Sequence, residues 1–253
     1  MPLLRDPNIV RTILNRDRPW AAYILGDLVP GSLEHCSFYS TELLDGIVVI
    51  YRGLGFPILY WQNAHPTLLD EFDEPAVFLN LRLEDAGFIA GRYTFVEPKR
   101  MGRFLLDPAH WKPVPIQSAK QLSKADLPAI KKLYADAAEG EQPYFFYPEM
   151  LQHGVFHGIW ENGALVAVAG THQVTRQDSV AAVGNVYTRR DRRQRGLAAE
   201  ATSAVVSHLL AMPIATIVLN VEHDKPNARR LYERLGFQLH CEFLEGRAVR
   251  QVF

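Results

Sequence analysis

Two cysteines in 253 residues, Cys36 and Cys241, leave nothing from which to build a disulfide framework or a metal knuckle. An excess of charge of one sign is missing as well. Lys and Arg number 27 against 28 Asp and Glu, a formal net charge of -1, so no whole-chain field draws the chain to nucleic acid or anionic lipid, and any polyanion site must be local. No run approaches the ~20 apolar residues that span a bilayer, and the opening residues Met1-Pro2-Leu3-Leu4-Arg5-Asp6 reach charge before a signal-peptide core can form. His153, His157 and His172 lack ligand spacing with Cys or carboxylates. The expectation is a soluble cytoplasmic protein with no metal, no nucleic-acid partner and no membrane partner; homo-oligomerisation is left open.

What the chain does have is apolar material, 48% hydrophobic and 11% aromatic residues, enough for real cores and too much for long disorder. Its length exceeds the usual single domain. A break is expected in Leu106-Asp107-Pro108-Ala109-His110-Trp111-Lys112-Pro113-Val114-Pro115, where three prolines oppose both helix continuation and strand pairing. The boundary is placed there, giving domains 1–112 and 113–253.

In the first domain Asp6 and Pro7 open a helix whose Val10, Ile13 and Leu14 share a face. A short helix is expected over Trp20 to Leu25, strands over Ile47 to Tyr51, Pro57 to Trp61 and Ala76 to Leu81, and two separate extended pieces at Tyr93 to Val96 and Arg103 to Leu106. Gly53-Leu54-Gly55 reads as a turn. In the second domain Ser123 and Asp126 form a capping-box pattern ahead of the stripe Leu127, Ile130, Leu133 and Tyr134. Strands are expected over Val155 to Trp160 and Leu165 to His172, joined by Asn162-Gly163, a strong hairpin signal. Val180 to Thr188 follows. Then come an amphipathic helix from Leu197 to about Ala211, a buried strand Ala215 to Val221, a helix from Pro226 that Gly236 stops, and two strands, Gln238 to Phe243 and Arg247 to Phe253.

The chemistry concentrates between Val186 and Phe237. The strand ending Val186-Tyr187-Thr188 runs into Arg193-Gln194-Arg195-Gly196-Leu197-Ala198, where the amides of Gln194, Arg195, Gly196, Leu197 and Ala198 at a helix start can converge on a pyrophosphate and the small Gly196 and Ala198 let it approach. Val186 and Thr188, at alternate strand positions, would offer backbone groups to an amide-containing cofactor arm, as an added strand would use them. The five arginines Arg189, Arg190, Arg192, Arg193 and Arg195 suit a polyphosphate neighbour better than RNA or DNA. About thirty residues on, Asn227-Ala228-Arg229-Arg230-Leu231-Tyr232-Glu233-Arg234-Leu235-Gly236-Phe237 puts a phenol on another helix.

From about Ile116 onward the chain resembles the GCN5-related N-acetyltransferase (GNAT) superfamily. Arg193, Gly196 and Ala198 meet one family pattern, and Ala228, Leu231, Tyr232, Gly236 and Phe237 meet a later one. The resemblance implies an α+β fold with a mixed, mostly antiparallel sheet flanked by helices, preceded here by a smaller α/β domain that looks like a degenerate half of a tandem member. It implies acetyl-CoA or another acyl-CoA as co-substrate, no metal, and Tyr232 as the acid that protonates the departing thiolate. A small-molecule or peptide amine would be the acceptor; a non-catalytic acyl-CoA sensor or scaffold is the alternative. Two positions depart from the pattern. Asn220 stands twelve before Tyr232, where some relatives carry a glutamate, leaving Glu222, His223 and His172 as fallback bases. Lys225 stands where an asparagine is usual, and Asn227 is the expected replacement for its cofactor contact. The aromatic run Pro143 to Pro148 reads equally as acceptor pocket or as core.

Overall fold

The structure is a computed structural model and describes residues 3–138, 141, 143 and 145–251. In chain order its strands are β1 (Leu3–Leu4), β2 (Cys36–Tyr39), β3 (Ile47–Tyr51), β4 (Ile58–Gln62), β5 (Ala76–Arg82), β6 (Tyr93–Leu106), β7 (Lys120–Gln121), β8 (His157–Glu161), β9 (Ala164–Thr175), β10 (Val180–Thr188), β11 (Thr216–Glu222) and β12 (Phe237–Arg250). Its helices are α1 (Pro7–Leu14), α2 (Arg18–Asp27), α3 (Ala86–Ile89), α4 (Leu127–Tyr134), α5 (Met150–His153), α6 (Leu197–Leu210) and α7 (Pro226–Arg234). Contacts divide the chain into two compact units, Met1–Arg103 with Val221–Lys225 and Leu239–Phe253, and Phe104–Asn220 with Pro226–Gln238. The units interleave along the chain: the contacts of the last strand assign most of it to the first.

In the first unit β1 to β5 and β12 lie side by side in that order. All neighbours are antiparallel except β4 and β5. Alternation sorts the side chains: one face carries Val77, Leu79 and Leu81 of β5 and Ala248 of β12 into a core with Trp61, Leu68 and Leu69. The other carries Arg82 and Phe243, which meet α2 at Trp20. Asp6 and Asp17 cap α1 and α2 by accepting from Asn8 (2.8 Å) and Trp20 (3.2 Å). Where two extended pieces were expected, β6 and β12 are each one strand of fourteen residues. Pro98 suggests a break in β6, but a side chain at Gly246 of β12 would come within 3.2 Å of its Cα. A bare glycine opposite lets the two backbones lie close at this point.

The second unit orders its strands β11-β10-β9-β8-β7, antiparallel but for the parallel β10 and β11. Helix α6 packs on β8, β9 and β10, and α4 on β9. Asn162 and Gly163 join β8 to β9 with φ of 51° and 75°, the double left-handed turn that Asn-Gly favours. Ser123 and Asp126 close their capping box reciprocally, and Leu122, Ile130, Leu133, Phe156 and Val168 fill the core. The proline-rich segment lies inside this unit and is tied down: Lys112 N–H donates to the Leu235 carbonyl (3.0 Å), Val114 N–H to Ser203 Oγ (3.1 Å), and Trp111 meets Phe237 edge-on. Among the described residues no helix is long and apolar enough to cross a membrane.

Gly236 ends α7 with φ of 100°, and a Cβ there would collide with the His110 carbonyl. Conformation and space both require glycine. Gly236→Ala is expected to cost about 2–4 kcal/mol, whereas Gly163→Ala, with φ of 75° and nothing within 4 Å of its Cβ position, should cost about 1 kcal/mol. Urea denaturation of both variants tests this; equal losses would show that the His110 contact does not matter.

Candidate functional site

The site starts from a ladder that stops. β10 pairs with β11 from Val180↔Thr216 to Val183↔Leu219, and no further pair follows, while its other edge stays on β9 to Thr188↔Ala167. A bulge lies between Gly184 and Tyr187, with Asn185 left-handed at φ 53°. Arg189 N–H donates to the Val166 carbonyl at 2.9 Å, the residue facing it when the register Tyr187↔Val168 is continued. Bonded and non-bonded pairs alternate in an antiparallel ladder, so Tyr187 and Arg189 turn their backbone groups to β9. Val186 and Thr188 turn theirs to the edge that β11 has left. The Thr188 carbonyl receives Arg193 Nε at 3.3 Å, and Thr188 Oγ1 is buried with no partner.

From this edge the chain enters the glycine loop. Gln194 (φ 63°) and Gly196 (φ 79°) are left-handed and Arg195 between them is not, an alternation that gathers successive N–H groups into an anion-binding concavity. Gly196 is the N-cap of α6, and no side chain caps that helix. The amides of Leu197 and Ala198 therefore begin a helix whose positive end is open. A Cβ at Gly196 would meet nothing within 4 Å, so backbone conformation, rather than crowding by the protein, demands glycine, and the space over the loop is free. The first-turn acid Glu200 points elsewhere. Its Oε1 accepts from Gln117 and Ala119 N–H, each at 2.9 Å, and from Ser118; burial would raise its pKa, but these bonds outweigh that and hold it low.

The arginines are held by carboxylates that sequence reasoning missed. Arg189 pairs with Asp191 (2.6 Å), Arg192 with Glu161 (2.7 Å), Arg193 with Glu141 (2.6 Å) and Arg195 with Glu161 (3.3 Å). Asp136, at the end of α4, accepts from Tyr187 Oη (3.1 Å) and Arg190 N–H (3.0 Å). Only Asp191 is near its partner in sequence. The others come from 31 to 54 positions away, with no periodicity to announce them.

Tyr232 on α7 is 9% exposed and meets Phe237 edge-on at 6.1 Å. Its hydroxyl has no hydrogen-bond partner among the described residues, and burial raises its pKa well above the ordinary phenol value. It stays protonated at any physiological pH. Asn227, at the exposed start of the same helix, accepts from Arg230 (2.6 Å).

None of the fallback bases is free and basic at neutral pH. Glu222 is engaged by Lys225 (2.7 Å) and Lys99 (3.1 Å), and His223 lies 3.4 Å from Glu242. His172 lies over Gly184, where a Cβ would collide with its ring, and burial lowers its pKa to about 4 against the opposing pull of the Phe145 backbone. Asn185 connects it to the bulge through Nδ2, 3.4 Å from His172 Nδ1, while Tyr134 Oη donates to the Asn185 carbonyl (2.9 Å). In the aromatic run Phe146 packs edge-on against Tyr134 and Phe156 as core; Tyr144 lies outside the described residues. Among the described residues no group of three or more His, Cys, Asp and Glu could hold a metal ion.

An open strand edge that leads into a left-handed loop and an uncapped helix is the geometry that the family comparison then meets. The acetyltransferase (GNAT) family model matches residues 120–237. That segment is similar to a GNAT domain. Solved structures extend the likeness in fold to nearly the whole chain. A GCN5-related N-acetyltransferase from Kribbella flavida aligns at 17% identity over 92% of this chain and 96% of its own, with a TM-score of 0.62. A GNAT-family acetyltransferase from Colwellia psychrerythraea aligns at 13% over 99% of each, TM-score 0.58. A tandem GNAT protein from the clavulanic acid biosynthesis pathway aligns at 13% over 81% of this chain and 78% of its own, TM-score 0.55, consistent with two halves. At such identities these likenesses establish the fold, α+β with a mixed sheet flanked by helices. No curated protein matches this chain. The GNAT domain and the fold support acyl transfer in general.

Burial also lowers the His157 pKa to about 4, with repulsion from His208 adding to it. Histidines whose folded pKa lies below the ordinary 6.5 take up protons more readily when unfolded, so their contribution to stability is full above about pH 6.5 and drains as pH falls toward 4. A variant with His157→Gln and His172→Gln is expected to lose less stability than the parent on acidification from pH 7 to pH 5. Thermal melts of both at each pH measure the difference; parallel losses would mean these imidazoles are not held neutral.

Proposed function

We propose that residues 113–253 bind acetyl-CoA or a related acyl-CoA and transfer its acyl group to a primary amine. The observation carrying this reading is the freed edge of β10 at Val186 and Thr188, continuous with the open N-terminus of α6. The cofactor's pantetheine amides have the spacing of a strand and suit that edge; its pyrophosphate suits the amides from Gln194 to Ala198. Arg193 and Arg195 stand at the mouth of the loop, and Asn227 takes a further cofactor contact. The acceptor nitrogen attacks the thioester carbonyl, the C–N bond forms and the C–S bond breaks. Tyr232 gives its proton to the departing sulfur and recovers one from solvent, while the nitrogen loses its extra proton to water. The unbonded hydroxyl of Tyr232 supports that role, because no competing acceptor holds its proton; burial keeps the phenol protonated while making it a weaker acid, so the departing thiolate has to be the stronger base.

A second reading, an acyl-CoA-binding sensor or scaffold, draws on one observation. His172 is too weakly basic, and Glu222 and His223 are paired. Saturable acyl-CoA binding without thiol release across a broad amine panel would favour it.

Tyr232→Phe is expected to lower turnover by roughly 10²-fold or more with acyl-CoA affinity nearly unchanged. Gly196→Val should weaken acyl-CoA binding by about tenfold or more, because a β-branched residue resists positive φ and its side chain enters the space over the loop. Calorimetric binding and thiol-release assays check both. Folded wild-type protein with no affinity for any coenzyme A derivative would end this reading.

A further inference from the structure

The first unit contains a half-buried carboxyl that nothing in it satisfies. Glu245 on β12 faces Asn80 on β5 directly across the ladder, so their side chains share one face at about 5 Å between Cβ atoms. Both are partly exposed. Among the described residues neither side chain has a hydrogen-bond or ion-pair partner, although a half-buried polar group normally finds one.

Charged neighbours are within electrostatic range but committed elsewhere. From β6, Arg103 is 3% exposed and donates to the carbonyls of Pro19 (3.1 Å) and Trp20 (2.7 Å) while covering the rings of Trp20, Tyr23 and Phe243 at 4.7 to 5.3 Å. Lys99, also from β6, holds Glu222 at 3.1 Å. Tyr23 faces the carboxyl from α2. What remains open at this place is the two carboxylate oxygens and the Asn80 amide, which can turn its oxygen toward a cation. Three acceptors match the three donors of an ammonium group, and an ionised Glu245 repels an anion.

We propose that Glu245 and Asn80 form a binding site for a primary ammonium on the first unit. This gives the first unit, which combines the N-terminal strands with the last strand, a function of its own, recognition of the amine class. The choice of amine takes its sense from the acceptor proposed above. Burial raises the Glu245 pKa to about 7, with Arg103 and Lys99 pulling down and Glu222 pushing up, so the carboxylate is half formed at neutrality. A bound ammonium stabilises it and lowers that pKa. Affinity must then fall as pH drops through 7.

The test uses the full chain and two probes, n-butylammonium and tetramethylammonium chloride, with binding followed by NMR shifts. Saturable binding of n-butylammonium is expected, about tenfold tighter at pH 8 than at pH 6. Tetramethylammonium, which has no N–H donor, should bind at least about tenfold more weakly. Glu245→Gln should weaken n-butylammonium by about tenfold or more, and Asn80→Ala by several-fold; the second variant carries the test if the first does not fold. No saturable n-butylammonium binding, equal binding of the two cations, pH-independent affinity, or variants that bind as wild type would each overturn the site. Acyl-CoA affinity measured on the same samples separates the two proposals: its loss with amine binding intact sinks only the acyltransfer reading, and the reverse sinks only this one.

Discussion

A strand that keeps one partner while losing the other is the constraint on which the candidate site rests. Backbone N–H and C=O groups are obligatory hydrogen-bonding groups, and a buried sheet edge without partners is costly. β10 meets that requirement along its β9 edge to Thr188, yet leaves β11 after Val183. The bulge between Gly184 and Tyr187, with Asn185 left-handed, follows at once. With one edge satisfied, the other can point Val186 and Thr188 at a ligand without melting the strand. The same divergence carries the chain into the loop that starts α6.

Around this edge the second unit spends its polar groups on orientation. Asp136 ties Tyr187 and the Arg190 amide together, and Glu161 holds Arg192 and Arg195. Exposed ion pairs of this kind contribute little stability. Their effect is to restrain a five-arginine loop that would otherwise repel itself. Glu200, an acid in the first turn of a helix, would be expected to cap its own N-terminus; it is drawn instead to three amides of residues 117–119. That leaves the front of α6 open. The histidines follow the same pattern, since burial keeps His157 and His172 neutral and closes off the simplest answer to which group takes the amine's proton.

Much of this was legible beforehand. Asp6, the Ser123 and Asp126 box, Asn162-Gly163, the start of α6 after Gly196 and the stop of α7 at Gly236 each depend on near neighbours, and local rules reach that far. β10 was delimited to the residue because its flanks change character abruptly. The failures have a common cause. Tyr93 to Val96 and Arg103 to Leu106 read as separate pieces, yet β6 runs through both, with Gly246, almost 150 positions after Pro98, allowing the close backbone approach there. The proline-rich segment reads as a break, because nothing nearby shows that Lys112 will find Leu235 or that Gly236 will need room for His110.

By itself the order of residues determined where helices begin and where a left-handed residue is obligatory, because caps and turns are built within a few positions of chain. Only the tertiary structure decided that β10 has a free edge, that five arginines are paired, and that Glu245 and Asn80 stand together without partners. Each of those depends on which distant strand or side chain arrives alongside, and burial, the quantity that moves a pKa or spends a hydrogen bond, exists only once the chain has packed.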